Sequence, residues 1–167
     1  MKRPLVTRKY RSSDIEQCRS LWKELTEWHR IIYKDPTIGG ENPENYFDDH
    51  LAKVGPDRLW VAIHGDVVVG LVGLIHAAEE AEIEPLVVSE DYRKKGAGEK
   101  LVKTVVSEAR NLGVKLLNVK PVARNTQAIR FFYKHGFKNL GEIELFLDLS
   151  GHEWEPGPKL FGCRFSL

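Results

Sequence analysis

Three cations and a pair of glycines stand together in Arg93-Lys94-Lys95-Gly96-Ala97-Gly98. Glycines let a backbone turn tightly and present its amides, and the cations add charge-assisted hydrogen bonds, a combination that suits a phosphate. Before the turn, Ala81 to Ser89 holds a short β-branched run that reads as a strand. After it, Leu101, Val102, Val105, Val106, Ala109 and Leu112 recur at helical spacing. Strand, basic turn and helix in that order bring the amides and the helix dipole to one point. The plainer alternative is a tight turn with a solvated cationic face. Two familiar phosphate loops do not match. A dinucleotide fingerprint needs a third glycine where Leu101 stands, and an acidic residue where the chain reads Leu116 to Val119. A P-loop needs Gly-Lys-Ser/Thr after its glycine, and that is absent.

The strand leading to the turn carries its own chemistry. Glu82 and Glu84 fall on one face of it, because strand side chains alternate. Pro85 follows at once. It has no N–H for a sheet ladder, which argues for a bulge or a break in pairing there.

A second block, Asn125-Thr126-Gln127-Ala128 running to Phe131-Phe132-Tyr133-Lys134-His135-Gly136-Phe137, lies downstream. With Arg93 to Gly98 it resembles the GNAT superfamily of N-acetyltransferases, whose signatures are Arg/Gln-x-x-Gly-x-Gly/Ala opening a long helix and Asn-x-x-Ala on a helix ending in Gly-Phe. The resemblance covers roughly residues 4 to 149. It implies transfer of an acetyl group from acetyl-CoA to a primary amine of a small molecule or peptide, without a metal. It also implies a coenzyme site at Arg93, Lys94, Lys95, Gly96, Ala97 and Gly98, with Asn125 on the coenzyme arm. Asn125 serves equally as a plain helix N-cap.

The same resemblance gives Glu84 or Glu82 as the base, with Glu84 preferred because it is nearer the splay of the parallel strands. Backbone amides of Leu86, Val87 or Val88 would stabilise the oxyanion, since Pro85 cannot. The family tyrosine that protonates the leaving thiolate falls at Phe132, so Tyr133, another donor, or no acid at all would serve; a thiol with a pKa near about 8.5 is a tolerable leaving group. Trp28 and Tyr33, with His29, Tyr46 and Phe47 behind them, are candidates for the acceptor site, and Asp48, Asp49, Glu82 and Glu84 hint at a cationic amine. A non-catalytic acyl-CoA-binding regulatory module is the alternative.

Composition bounds these expectations. A chain of 167 residues corresponds to a single domain, 1–167, with room for a sizeable core. A net charge of +1 gives no bulk attraction to nucleic acid or membrane. The apolar run Val67 to Ile75 is too short for a bilayer, and Met1-Lys2-Arg3-Pro4 does not read as a signal peptide, so a cytoplasmic location is expected. Cys18 and Cys163 have no metal-ligand spacing. A homodimer is left open.

The elements that must hold these residues follow from periodicity and punctuation. Leu5 to Tyr10 reads as a first strand. Ser13 and Glu16 have capping-box spacing ahead of a helix marked by Ile15, Cys18, Leu21, Trp22, Leu25 and Trp28. A Gly/Pro-rich loop, Asp35 to Pro43, leads to a short helix, Glu44 to Val54. Leu59–Ile63 and Val67–Ile75 are strands joined by a tight turn at His64-Gly65-Asp66. Lys115 to Lys120 is a strand that must pair in parallel with the one ending near Ser89. Ala128, Ile129, Phe131 and Phe132 are the expected buried face of the helix after Asn125. Glu142 to Leu149 and Leu160 to Phe165 read as final strands. The result is an α/β mixed sheet of antiparallel strands with one splayed parallel pair, flanked by about four helices.

Overall fold

A computed structural model describes residues 4–167. The chain divides into two compact units, with the boundary between Lys120 and Pro121. The first contains a five-stranded sheet, β1 (Leu5–Lys9), β2 (Leu59–His64), β3 (Val67–Ala77), β4 (Glu80–Val88) and β5 (Leu116–Val119), in that spatial order. All neighbours are antiparallel except β4 and β5, which run parallel across the helix α3 (Ala97–Asn111). The mixed sheet and its parallel pair are those expected from the sequence.

Helices cover both faces. The helix α1 (Ile15–Tyr33) buries Cys18 and Leu21, and α2 (Tyr46–Val54) buries Phe47 and Val54. These pack on Leu59, Val61, Leu71 and Val87 of the sheet. On the other face α3 buries Leu101, Val102, Val105 and Ala109. Gly70 of β3 admits it: a Cβ there would stand 3.1 Å from Leu101 and 2.8 Å from the Val87 carbonyl oxygen.

The start of α1 differs from the expected Ser13–Glu16 box. A turn of 3₁₀ helix, Ser12–Asp14, precedes it. Asp14, 3% exposed, accepts from the Arg11 backbone N–H at 2.8 Å and from both terminal nitrogens of Arg8 at 2.7 and 2.8 Å. A carboxylate reaches back further than the Ser13 hydroxyl and carries the charge that draws Arg8 in from β1. Glu16 pairs instead with Arg19.

The second unit, Pro121–Leu167, holds α4 (Thr126–Lys134) and an antiparallel hairpin of β6 (Pro156–Leu160) and β7 (Cys163–Ser166). Of the expected buried face of α4 only Phe132 is buried, against the edges of Phe131 and Phe137, while Ile129 is exposed. The strand expected over 142–149 is absent: its residues join no ladder, and Leu145, Phe146, Leu147 and Leu149 are exposed. Alternating apolar residues make a strand only where a partner edge accepts their backbone, and β6 and β7 pair with each other. The segment ends at Asp148, whose carboxylate accepts from Ser150, His152 and Trp154, and those donors hold it at about 2.

Asp14 yields a test. The Arg8 guanidinium holds its carboxyl below the ordinary 3.8. The folded state therefore binds this proton less readily than the unfolded chain does. The contribution is complete above that value and is lost as pH falls through the lower folded one. Asp14→Ala is expected to lower unfolding stability by about 2–3 kcal/mol at neutral pH. Urea titrations of both proteins should converge as pH drops below 3.8; a gap unchanged at low pH contradicts the assignment.

Candidate active site

The pairing of β3 with β4 slips at one point. Val72 faces Leu86 and Leu74 faces Ile83, so Gly73 alone stands opposite Glu84 and Pro85. The Glu84–Pro85 peptide is cis. This is the bulge that Pro85 predicted, and it switches the faces of the strand. Glu82 lies across from Ile75, on the side of α1 and α2. Simple alternation would put Val87 on the α3 side, yet Val87 joins the α1–α2 core.

The other edge of β4 opens over the same residues. Parallel pairing with β5 runs from Glu80↔Leu116 to Ile83↔Val119 and stops, while β4 continues to Val88. Beyond Ile83 the backbone facing away from β3 has no ladder partner in β5. Ser89 N–H donates to the Val69 carbonyl at 2.9 Å. Amide directions alternate along a strand, so Val87 N–H also points to β3, and the amides of Leu86 and Val88 point to the open side. Of the three expected donors, the geometry thus separates two from one.

The basic turn follows. A 3₁₀ turn, Glu90–Tyr92, leads to Arg93, then to Lys94 at φ 61° and Gly96 at φ 90°, both left-handed. Such alternation curls successive amides around a concavity, and α3 adds the unbonded N–H groups of its first turn from Ala97 onward. Arg93 stacks on Trp28, 5.1 Å from guanidinium to ring, and its Nε donates to the Val88 carbonyl at 3.3 Å. Lys95 lies over Tyr92 at 5.1 Å. Glu24 of α1 ties the approach down, accepting from the Ser89 hydroxyl and the Glu90 N–H. The cradle fits a phosphate.

The two carboxylates have different partners. Glu82 accepts from Lys120 at 2.8 Å. Glu84 accepts from Lys53 of α2 at 3.1 and 3.3 Å, and its Oε1 is 3.8 Å from Nδ1 of His50. Neither Lys53 nor His50 was named from the sequence. The signal was present: His50 falls on the apolar stripe of Phe47, Leu51 and Val54, where a polar residue is out of place.

The acceptor candidates scatter. Trp28 sits beneath Arg93, on the side of the basic turn. Tyr33 is half-buried in the last turn of α1, Phe47 is core and Tyr46 is exposed. Asp48 is bound by Arg19 at 2.7 Å. Asp49 remains, and with Glu41, Asn45 and Tyr46 it lines an open depression along the α1–α2 connection. In the second unit Asn125 caps α4, its Oδ1 accepting from Ala128 N–H at 3.1 Å. Tyr133 is exposed, its ring 5.5 Å from the Lys138 ammonium. Among the described residues no His/Cys/Asp/Glu group could hold a metal ion, and no helix is long and apolar enough to cross a membrane.

Residues 22–137 match the model of the acetyltransferase (GNAT) family, and the chain belongs to that family. It is an acetyl-CoA-dependent N-acetyltransferase, with acetyl-CoA as co-substrate. Solved structures share the fold at low identity. A GNAT-family acetyltransferase from Staphylococcus aureus Mu50 superposes with a TM-score of 0.69 at 18% identity, over 98% of this chain and 97% of that one. The PaiA N-acetyltransferase of Thermoplasma acidophilum, in complex with coenzyme A, gives 0.68 at 19%, over 81% and 90%. An aminoglycoside N-acetyltransferase in complex with CoA gives 0.68 at 16%, over 89% and 97%. A search of curated proteins finds no match.

The bulge provides a direct test. A Cβ on Gly73 would lie 2.3 Å from the Glu84 carbonyl oxygen. Backbone cannot yield as a flexible side chain does, so Gly73→Ala is expected to destabilise the fold by about 1–3 kcal/mol. Chemical denaturation measures it, and a loss below about 0.5 kcal/mol, the range of an ordinary surface change, contradicts this packing.

Proposed function

We propose that the chain transfers the acetyl group of acetyl-CoA directly to a primary amine of a small molecule or peptide, and that the open side of β4 is where this happens. The observation that carries the proposal is the coincidence of three features within a few residues. The β4–β5 ladder stops after Ile83, the Leu86 and Val88 amides face the opening, and Glu84, whose carboxylate meets Lys53 of α2, is the first residue past the end of that ladder.

Bound acetyl-CoA supplies the thioester carbonyl that a neutral amine attacks. The amides of Leu86 and Val88 are aimed to donate to the carbonyl oxygen as its charge grows, a contribution of about 3 kcal/mol for a well-placed donor. Val87, whose amide points to β3, flanks them. Arg93, Lys94, Lys95, Gly96, Ala97 and Gly98 hold the phosphates, and Asn125 meets the coenzyme arm with the amide nitrogen left over from capping. Glu84 accepts the amine proton. Lys53, at 3.1 Å, orients that carboxylate from α2. Glu82, paired with Lys120, is the reserve, and Tyr133 is the candidate acid for the thiolate. Tyr33 and the depression lined by Tyr46 and Asp49 receive the acceptor, and their charge favours a cationic amine. Trp28 belongs with Arg93 on the coenzyme side. The two units work as one domain of a cytoplasmic enzyme, alone or as a homodimer.

Release of free thiol from acetyl-CoA across a panel of small amines, peptides and aminoglycosides tests the proposal. Turnover is expected with at least one amine. Glu84→Gln should lower it by about 10²–10⁴ while acetyl-CoA affinity holds. Arg93→Glu should weaken calorimetric binding of acetyl-CoA by at least about tenfold. Tight binding with no thiol released by any amine is the result of a regulatory module and overturns the enzyme. Loss in Glu82→Gln but not Glu84→Gln moves the base one turn of the pleat upstream.

A further inference from the structure

His50 is the one imidazole buried in the core of the first unit among the described residues, at 5% exposure, and the proposed reaction gives it no work. Its surroundings are odd for a structural residue. The ring packs on Trp22, 4.9 Å between centroids. Nε2 has no hydrogen-bond partner. The Glu84 carbonyl is close, since a Cβ on Gly73 would lie 3.4 Å from Nε2 and 2.3 Å from that oxygen. The carbonyl is near enough to favour a proton on the ring, yet it makes no well-formed bond to Nε2. An unpaired buried polar atom destabilises the fold, and a leucine or phenylalanine against Trp22 would avoid that cost.

What the imidazole does reach is the carboxylate of Glu84, at 3.8 Å from Nδ1 to Oε1. Glu84 is thus approached from two sides. Lys53 meets it where both are exposed, at 58% and 39%. His50 meets it from below, at 4%. These are the charged and titratable groups that face the imidazole: Glu84 from β4 and Lys53 from α2. Trp22 of α1 and Gly73 of β3 present no charge. Burial and Lys53 hold the ring neutral, while Glu84 pulls the other way.

We propose that His50 is a positioning residue that shares with Glu84 the proton taken from the acceptor amine. The inference rests on Glu84 as the base. An acceptor arriving as an ammonium loses one N–H proton to Glu84, and the electron pair stays on nitrogen as the nucleophile. The new O–H turns inward. Closing the Oε1–Nδ1 gap to hydrogen-bond length takes about 1 Å, within reach of a Glu side-chain rotation. The lone pair of Nδ1 then accepts, with the ring's own proton on Nε2 beside the Glu84 carbonyl. The proton leaves to water by the exposed side of Glu84, and the carboxylate returns to Lys53.

The direct test needs no acceptor. The imidazole of His50, assigned through the backbone, is titrated by NMR in the full chain. Glu84→Gln should lower its pKa by about one unit, because the carboxylate no longer favours the charged ring, and Lys53→Met should raise it. An imidazole that titrates identically in wild type and Glu84→Gln overturns the couple. Turnover is the second arm, read as thiol release with the panel amine of highest rate. His50→Phe, which keeps the stack on Trp22, should slow the enzyme about tenfold, and Glu84→Gln/His50→Phe should be no slower than Glu84→Gln. A double variant slowed by the full product of the single effects means that His50 acts only on structure, and overturns the proposal. Wild-type turnover in Glu84→Gln removes the base assignment and the proton sharing with it. Loss of turnover there with an unmoved His50 titration removes the sharing alone.

Discussion

The close approach of Gly73 to the Glu84 carbonyl governs the first unit. No side chain fits between them. Only a glycine on β3 lets β4 place an extra residue opposite one position, and that extra residue reverses which faces point where. Glu84 reaches α2, Val87 drops into the α1–α2 core, and the amides of Leu86 and Val88 turn to the side where β5 has parted. A regular strand could not deliver these three outcomes together. Its alternation would place Val87 against α3 and reverse the amides relative to the carboxylate.

The opening on the β5 side needs no separate device. Parallel pairing ends at Ile83↔Val119, directly before the bulge. A proline at the next residue but one donates nothing to a ladder, so leaving β5 there sacrifices no bond at Pro85. Past the opening the backbone enters the basic turn, where left-handed Lys94 and Gly96 gather amides at the start of α3. One strand therefore carries the proposed base, the proposed carbonyl donors and the entry to the basic turn. The long helix supplies the dipole.

Much of this was legible in the sequence. The strand, turn and helix are local, and hydrophobic period with glycine punctuation marked each. Pro85 announced the irregular ladder because its missing N–H is a property of the residue itself. The pair Glu82 and Glu84 was visible, but their partners were not: Lys53 and Lys120 are chosen by how α2 and the end of β5 pack on β4. The face switch was hidden for the same reason, since it needs Gly73 and Pro85 aligned across two strands. His50 was overlooked although it interrupts an apolar stripe. The stacking of Trp28 under Arg93 was hidden too, because it is a contact between distant parts of the chain. The strand expected over 142–149 had the right alternation and no partner edge.

A crystal structure of the chain with acetyl-CoA tests the central claim most directly. The account predicts the thioester carbonyl oxygen within hydrogen-bond reach of the Leu86 or Val88 amide, in the opening beyond Ile83, with the pyrophosphate on the amides that follow Gly96. A coenzyme whose carbonyl lies elsewhere, or β5 paired with β4 through Val88 in the bound state, would contradict it.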